Sequence, residues 1–205
     1  MQKIIFATGN AGKMKEIRMI LSDLEVKGQA VEILSMKEAG IEPRIEETGK
    51  SFVENAVIKA KAVAAVAQGA LVLADDSGLE VDYLNKEPGI YSARYMGEDT
   101  PYSEKNKNLI ERLDGVREEE RTARFVCAIA CVLPDGNVLT KEATIEGRIG
   151  YEEKGENGFG YDPIFMVPAY GKSTAELAEE EKNAISHRGK ALRAMKEELQ
   201  DYFGR

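Results

Sequence analysis

The chain has only two cysteines and one histidine in 205 residues. Cys127 and Cys131 both fall in FVCAIACVL, where the two-residue period of a strand sets them on one face and too far apart to pair readily. That spacing argues against a disulfide, and the single histidine argues against a zinc site. No apolar run approaches the roughly 20 residues that span a bilayer, and the opening Met-Gln-Lys leads into a short strand-like run rather than a signal peptide. A cytoplasmic protein with no membrane partner is expected. Positive charge is also short: 28 Lys and Arg stand against 36 Asp and Glu, a net charge of −8. Such a balance repels a nucleic-acid backbone, and the basic residues cluster only on the scale of a small anionic ligand.

No internal repeat or Pro/Ser-rich linker divides the sequence. It reads as one domain over residues 1–205, with 43% hydrophobic residues to bury a core, arranged in two lobes. KIIFA (3–7) reads as a buried strand, followed by Met14, Ile17, Ile20, Leu21 and Leu24 at helical spacing. VEILS (31–35) reads as a second strand. Ser51 and Glu54 form a capping-box pattern before an Ala-rich helix to about Ala67. LVLA (71–74) reads as a strand ending at Asp75-Asp76, which would put two carboxylates at the strand end where α/β sheets receive ligands. Thr100-Pro101 fits the N-cap and first position of a helix reaching Leu113. ARFVCAIACVL and VLTKEATIEGRI, joined by PDGN, read as a hairpin of the second lobe. Ser173 and Glu176 repeat the capping-box pattern, and a last helix is expected from His187 to about Tyr202.

Four segments carry residues suited to chemistry. ATGNAGKMKE (7–16) is a strand-to-helix turn whose amides and helix dipole favour phosphate, with Lys13 adding a mobile charge. It is not a P-loop, which would need Gly at Ala7 and Ser or Thr at Met14. Taken alone, Lys13 also reads as a solvated turn lysine. In IEETGKSFVENAVIKAK (45–61), Glu46-Glu47 would complement a helix N-terminus, or join Asp75-Asp76 around a hard cation, since Mg²⁺ commonly takes one or two carboxylates, waters and phosphate oxygens. Lys59 either faces those phosphates or is a solvated helix lysine. GENGFGYDPIF (155–165) offers Phe159 and Tyr161 between glycines, for stacking on a base or for packing a turn. Asp162, preceding Pro163, is expected to be extended. In SHRGKAL (186–192), Ser186 would cap a helix and place His187 and Arg188 in its first turn, where cations oppose the dipole; this pair reads either as functional or as exposed surface.

The ordered set ATGNAGK, EETGKSFVENAVIKA, ADDSGLEVDYLNKEPGIYSARY, GFGYDPIF and ISHRGKAL resembles the inosine triphosphate pyrophosphatase family over nearly the whole chain. The segments 115–121 and 177–182 look individual. The resemblance implies a two-lobed α/β fold with a long mixed β-sheet and a nucleotide cleft between the lobes, a homodimer, and Mg²⁺ as cofactor. It implies hydrolysis of ITP, dITP and XTP to the monophosphate and pyrophosphate, cleansing the nucleotide pool. By motif, Thr8, Gly9, Asn10, Ala11, Gly12 and Lys13 would hold the triphosphate with Lys59; Glu47 and Asp76 would bind the metal; and Asp76 would also accept the proton. Ser77 would contact substrate, and Phe159, Gly160, Tyr161, Asp162, Lys182, His187 and Arg188 would form the base pocket. A nucleotide-binding regulatory module without hydrolysis, and a Maf-like pyrophosphatase acting on other modified nucleotides, are the competing readings.

Overall fold

The computed structural model describes residues 2–67 and 69–204. QKIIF forms β1 (Gln2–Phe6), whose Ile4, Ile5 and Phe6 are all buried, as suits a strand covered on both faces. A turn leads into α1 (Ala11–Ile20), which buries Met14 and Ile17 on one face. β2 (Glu25–Val26) pairs antiparallel with β3 (Gln29–Ser35), and β3 returns parallel to β1 with Ile4 beside Ile33. α2 (Phe52–Val66) begins after Ser51, whose hydroxyl accepts the Glu54 N–H at 3.1 Å. The return bond of this cap is shifted: the Glu54 carboxylate takes the N–H of Lys50, at 2.6 Å, in place of that of Ser51.

β4 (Leu71–Val81) corrects the expectation drawn from LVLA. The strand does not end at Asp75-Asp76 but runs through both, because each carboxylate has a cation partner and can be buried without interrupting the ladder. The strand that does end here is β1. Its parallel pairing with β4 stops at Phe6 beside Leu73, and the Ala7 N–H bonds to the Leu73 carbonyl at 2.7 Å before the chain turns away.

α3 (Tyr102–Arg112) starts one residue later than expected, after Pro101, while the Thr100 hydroxyl donates to the Met96 carbonyl at 2.7 Å. β5 (Thr122–Val132) and β6 (Val138–Ile149) are joined by a turn closed by Gly136 N–H to Leu133 O, 2.9 Å. β7 (Phe165–Val167) pairs antiparallel with β6 and with β8 (Lys172–Ser173). The Ser173–Glu176 capping box is present but caps a single 3₁₀ turn, ahead of α4 (Glu179–Ile185) and α5 (His187–Gly204). The strand order is β2-β3-β1-β4-β5-β6-β7-β8, a mixed sheet of the expected kind. Among the described residues no helix is long and apolar enough to cross a membrane.

The chain divides into two compact units. The first comprises Met1–Asp76, Cys127–Ala143 and Arg188–Arg205, and the second Ser77–Val126 and Thr144–His187. The division passes between Asp76 and Ser77. The turn end of the β5-β6 hairpin belongs to the first unit, not to the second as expected. Its Cys127, Ile129 and Cys131 alternate into the core made by Phe6, Ile17, Leu73, Leu192 and Met195. Both thiols are free, and burial pushes each up to about 12.

The second unit has its own core of Leu79, Leu109, Phe125, Ile149 and Phe165. At its margin Arg121, 1% exposed, donates to the carbonyls of Leu113, Ile149 and Gly150 at 2.7–2.8 Å. The segment that looked individual in sequence thus supplies a cation that ties three backbone carbonyls together. Arg121→Leu would remove these donors and is expected to cost about 3 kcal/mol of stability. Urea denaturation of the two proteins tests this, and an unchanged midpoint would refute it.

Candidate active site

The first unit collects an anion-oriented turn and a charged network. Asn10 caps α1, its side-chain oxygen accepting the Lys13 N–H at 3.0 Å, while its own N–H bonds to the Thr8 hydroxyl at 3.2 Å. These bonds fix the path of 8–12, with Gly9, Asn10 and Ala11 exposed at the helix entrance. Lys13 reaches back from α1 to Asp75 on β4, Nζ to Oδ2 2.9 Å. The solvated-lysine alternative is therefore overturned. Arg188, 2% exposed at the start of α5, bonds to Glu16 at 2.5 Å and lies 3.4 Å from the same Asp75 oxygen. Glu16, Arg188, Asp75 and Lys13 so form an alternating chain of charges. Burial would raise the Asp75 pKa, but Lys13 and Arg188 outweigh it and hold this carboxyl below the usual range.

Asp76 behaves in the opposite sense. Burial, with Glu47 nearby, lifts its carboxyl above the ordinary aspartate value despite the opposing charge of Lys59. The two adjacent aspartates thus sit in divergent environments: Asp75 is held ionised by two cations, while Asp76 is the more basic carboxylate. The Lys59 ammonium lies 2.9 Å from Asp76 Oδ1 and 2.9 Å from Glu47 Oε1. With a side chain only 12% exposed, Lys59 is not a solvated helix lysine. Burial lowers its pKa, but Asp76, Asp75 and Glu47 more than compensate and keep it charged. Glu46 is placed differently, pairing with the exposed Arg44 at 2.6 Å. The loop bearing Glu47 is pinned where Gly49 donates to the buried Asn55 side chain at 2.8 Å; a Cβ at Gly49 would lie 2.6 Å from that oxygen.

These residues fit a hard divalent cation. Two carboxylates converge on a single cation position, and the second oxygen of Asp76 is buried without a hydrogen-bond partner among the described residues. No group of three or more His, Cys, Asp or Glu able to hold a metal occurs among the described residues. The remaining positions would fall to water and phosphate oxygens, as is usual for Mg²⁺.

The second unit holds the aromatic turn. Asp162 opens a 3₁₀ turn, Asp162–Ile164, so the extended conformation expected before Pro163 does not occur. Local hydrogen bonding decides the geometry instead: Asp162 Oδ2 accepts the Phe159 N–H at 2.8 Å and Lys182 Nζ at 2.6 Å, and Oδ1 accepts the Thr174 hydroxyl at 2.8 Å. Gly158, at φ +72°, permits this closure, since a Cβ there would sit 2.2 Å from Asp162 Oδ2. Lys182 also lies over the Phe159 ring, 4.9 Å from its centroid. Tyr161 is buried with its hydroxyl donating to the Ser92 carbonyl at 2.6 Å, and Asn106 donates to the Gly160 carbonyl at 3.2 Å. His187 stacks on Phe125 at 4.8 Å and 16°. Ser77 is half-buried on β4.

The motif residues are thus grouped within each unit: Thr8 to Lys13, Glu47, Lys59, Asp76 and Arg188 in the first, and Ser77, Phe159 to Asp162, Lys182 and His187 in the second. Arg188, expected beside Lys182 and His187, has its guanidinium committed to Glu16 and Asp75. Glu16 and Thr174 were missed by the motif reading. The signal for Glu16 was its position among the buried Met14 and Ile17, where a carboxylate needs a cation.

A model of the Ham1 family matches residues 4–198. The chain belongs to the Ham1 family. This agrees with the resemblance carried by the five motifs. The dITP/XTP pyrophosphatase of Exiguobacterium sibiricum is 48% identical over 202 residues, covering 98% of this chain and 99% of that protein. The protein of the same name from Bacillus subtilis is 46% identical over 200 residues, 98% of each chain. Among solved structures, a HAM1 protein from Coxiella burnetii superposes on this Ham1-family chain with a TM-score of 0.84 at 40% identity, covering 98% of this chain and 100% of the other.

Proposed function

We propose that this Ham1-family enzyme hydrolyses the deaminated purine nucleotides dITP, ITP and XTP to the monophosphate and pyrophosphate. Full-length relatives named dITP/XTP pyrophosphatase support the substrate class. The observation that carries the mechanism is the convergence of Glu47 and Asp76 on one cation position, next along β4 from the carboxylate that holds Lys13.

In this reading the Gly9, Ala11 and Gly12 amides, the Thr8 hydroxyl, the Asn10 side-chain amide and the Lys13 ammonium hold the triphosphate. Glu47 and Asp76 would hold the divalent cation, proposed as Mg²⁺, which when bound neutralises charge on the phosphate oxygens. Asp76 orients a water towards the α-phosphorus and takes its proton. A new P–O bond forms as the bond to the bridging oxygen breaks, and pyrophosphate leaves with that oxygen. Lys13 and Lys59 offset the charge developing there. No covalent nucleophile is needed.

Phe159 stacks on the base, while Lys182 and His187 favour hypoxanthine and xanthine, whose O6 accepts a hydrogen bond where adenine presents an N6 donor. Ser77 contacts the substrate, and Gly160, Tyr161 and Asp162 shape the turn. Phe159→Ala is expected to weaken nucleotide binding by about 10-fold, since stacking on an aromatic ring is worth ~1–3 kcal/mol per base. Calorimetry with a non-hydrolysable dITP analogue checks this, and unchanged affinity would assign the ring to packing. The same reading proposes a single-domain homodimer in the cytoplasm acting on no nucleic acid or membrane; sedimentation at working concentration tests the dimer.

Separating the products of dITP hydrolysis with Mg²⁺, and after chelation, tests the reaction type. Pyrophosphate formed only with the metal is expected. Stepwise release of orthophosphate would overturn α–β cleavage.

A further inference from the structure

We propose that Lys59 is a built-in competitor for the metal position, so that the nucleotide-free enzyme excludes divalent cations and admits them only with the triphosphate. The inference rests on the reading of Glu47 and Asp76 as the metal pair. Lys59 Nζ is 2.9 Å from an oxygen of each carboxylate, on the rigid body of α2, and its side chain is nearly buried. One ammonium therefore supplies the positive charge that both carboxylates would otherwise seek from a metal. A divalent ion bound to the same oxygens would face that ammonium at close range in a partly dehydrated site, where like charges repel strongly.

The two cations differ in their freedom to move. A lysine has a long flexible stem and three rotatable donors, so its ammonium can swing to another anion without a change in the backbone. Triphosphate oxygens in the phosphate turn supply such an anion. Lys59 would pass from the carboxylates to the phosphates as the metal–nucleotide complex enters, which links metal binding to substrate binding. A metal loaded without substrate would have no such receiver for the displaced charge. The second oxygen of Asp76 is buried and has no hydrogen-bond partner among the described residues, so the exchange takes place at Glu47 Oε1 and Asp76 Oδ1.

The test measures Mn²⁺ binding to nucleotide-free protein by the EPR signal of the free ion. Wild type and Lys59→Arg, which keeps the charge, are expected to bind weakly. Lys59→Gln and Lys59→Met, the latter retaining most of the aliphatic stem, are expected to bind Mn²⁺ at least about 10-fold more tightly. Adding Asp76→Asn to Lys59→Gln should abolish the gain. Neutral variants that bind no more tightly than wild type, or a gain that survives Asp76→Asn, would overturn the proposal. So would tight stoichiometric Mn²⁺ binding by nucleotide-free wild type, a result independent of how the variants fold. If dITP yields no pyrophosphate yet the gain appears, the assigned reaction fails while the cation competition stands.

Discussion

Asp76→Asn is expected to lower turnover of dITP by about 10³-fold, within the range general-base removal usually costs, while leaving nucleotide affinity measured without metal nearly unchanged. Asparagine keeps the shape of the side chain and its place on β4. It loses the charge that meets Lys59 and the basicity that burial gives this carboxyl. The affinity should survive because Asn10, Lys13 and the rest of the turn at the α1 entrance lie outside β4. Parallel measurement of kcat and of binding to a non-hydrolysable analogue separates the two effects. Asp75→Asn offers a contrast, since Asp75 already binds Lys13 and Arg188 and its loss would disturb Lys13 placement before chemistry. If Asp76→Asn retained near-normal turnover, proton acceptance would have to be assigned elsewhere.

Arg188→Met should lower stability by about 3–5 kcal/mol, because removing one partner of a buried ion pair leaves its counter-charges uncompensated. Here the loss falls chiefly on Glu16, since Asp75 keeps Lys13 at 2.9 Å, and Arg188 is itself 2% exposed. For a chain of this size the corresponding fall in Tm is about 10 °C. Glu16→Gln combined with Arg188→Met should cost less than the two single changes added together, since the residues share one network. Denaturant unfolding of the three variants measures this coupling. A loss below about 1 kcal/mol, the usual worth of a solvated pair, would contradict the buried network.

Local pattern made much of this legible in the sequence. The apolar KIIFA run, the spacing of Met14 and Ile17 and the Ser51 cap each specify their element through neighbours a few residues away, and β1, α1 and α2 follow. What was not legible depends on partners distant in the chain. LVLA was expected to stop at Asp75-Asp76 because charge normally ends a buried strand, but Lys13 and Lys59 neutralise those aspartates from other elements. Arg121 in an apparently individual segment is buried because three carbonyls converge on it. The same holds for Asp162, whose turn is set by Phe159, Thr174 and Lys182 against the extended preference that precedes proline. The motifs therefore name candidate residues, and tertiary contacts determine what each one touches.

The most direct test of the proposed activity compares kcat/KM for dITP and XTP with those for dATP and dGTP, scoring pyrophosphate as product in the presence of Mg²⁺. Efficient pyrophosphate release from dITP and XTP, with dATP disfavoured by on the order of 10⁴, is the expected result for a site that demands an acceptor at O6. Equal rates on dITP and dATP, or binding of dITP with no product, would contradict a pyrophosphatase selective for deaminated purines.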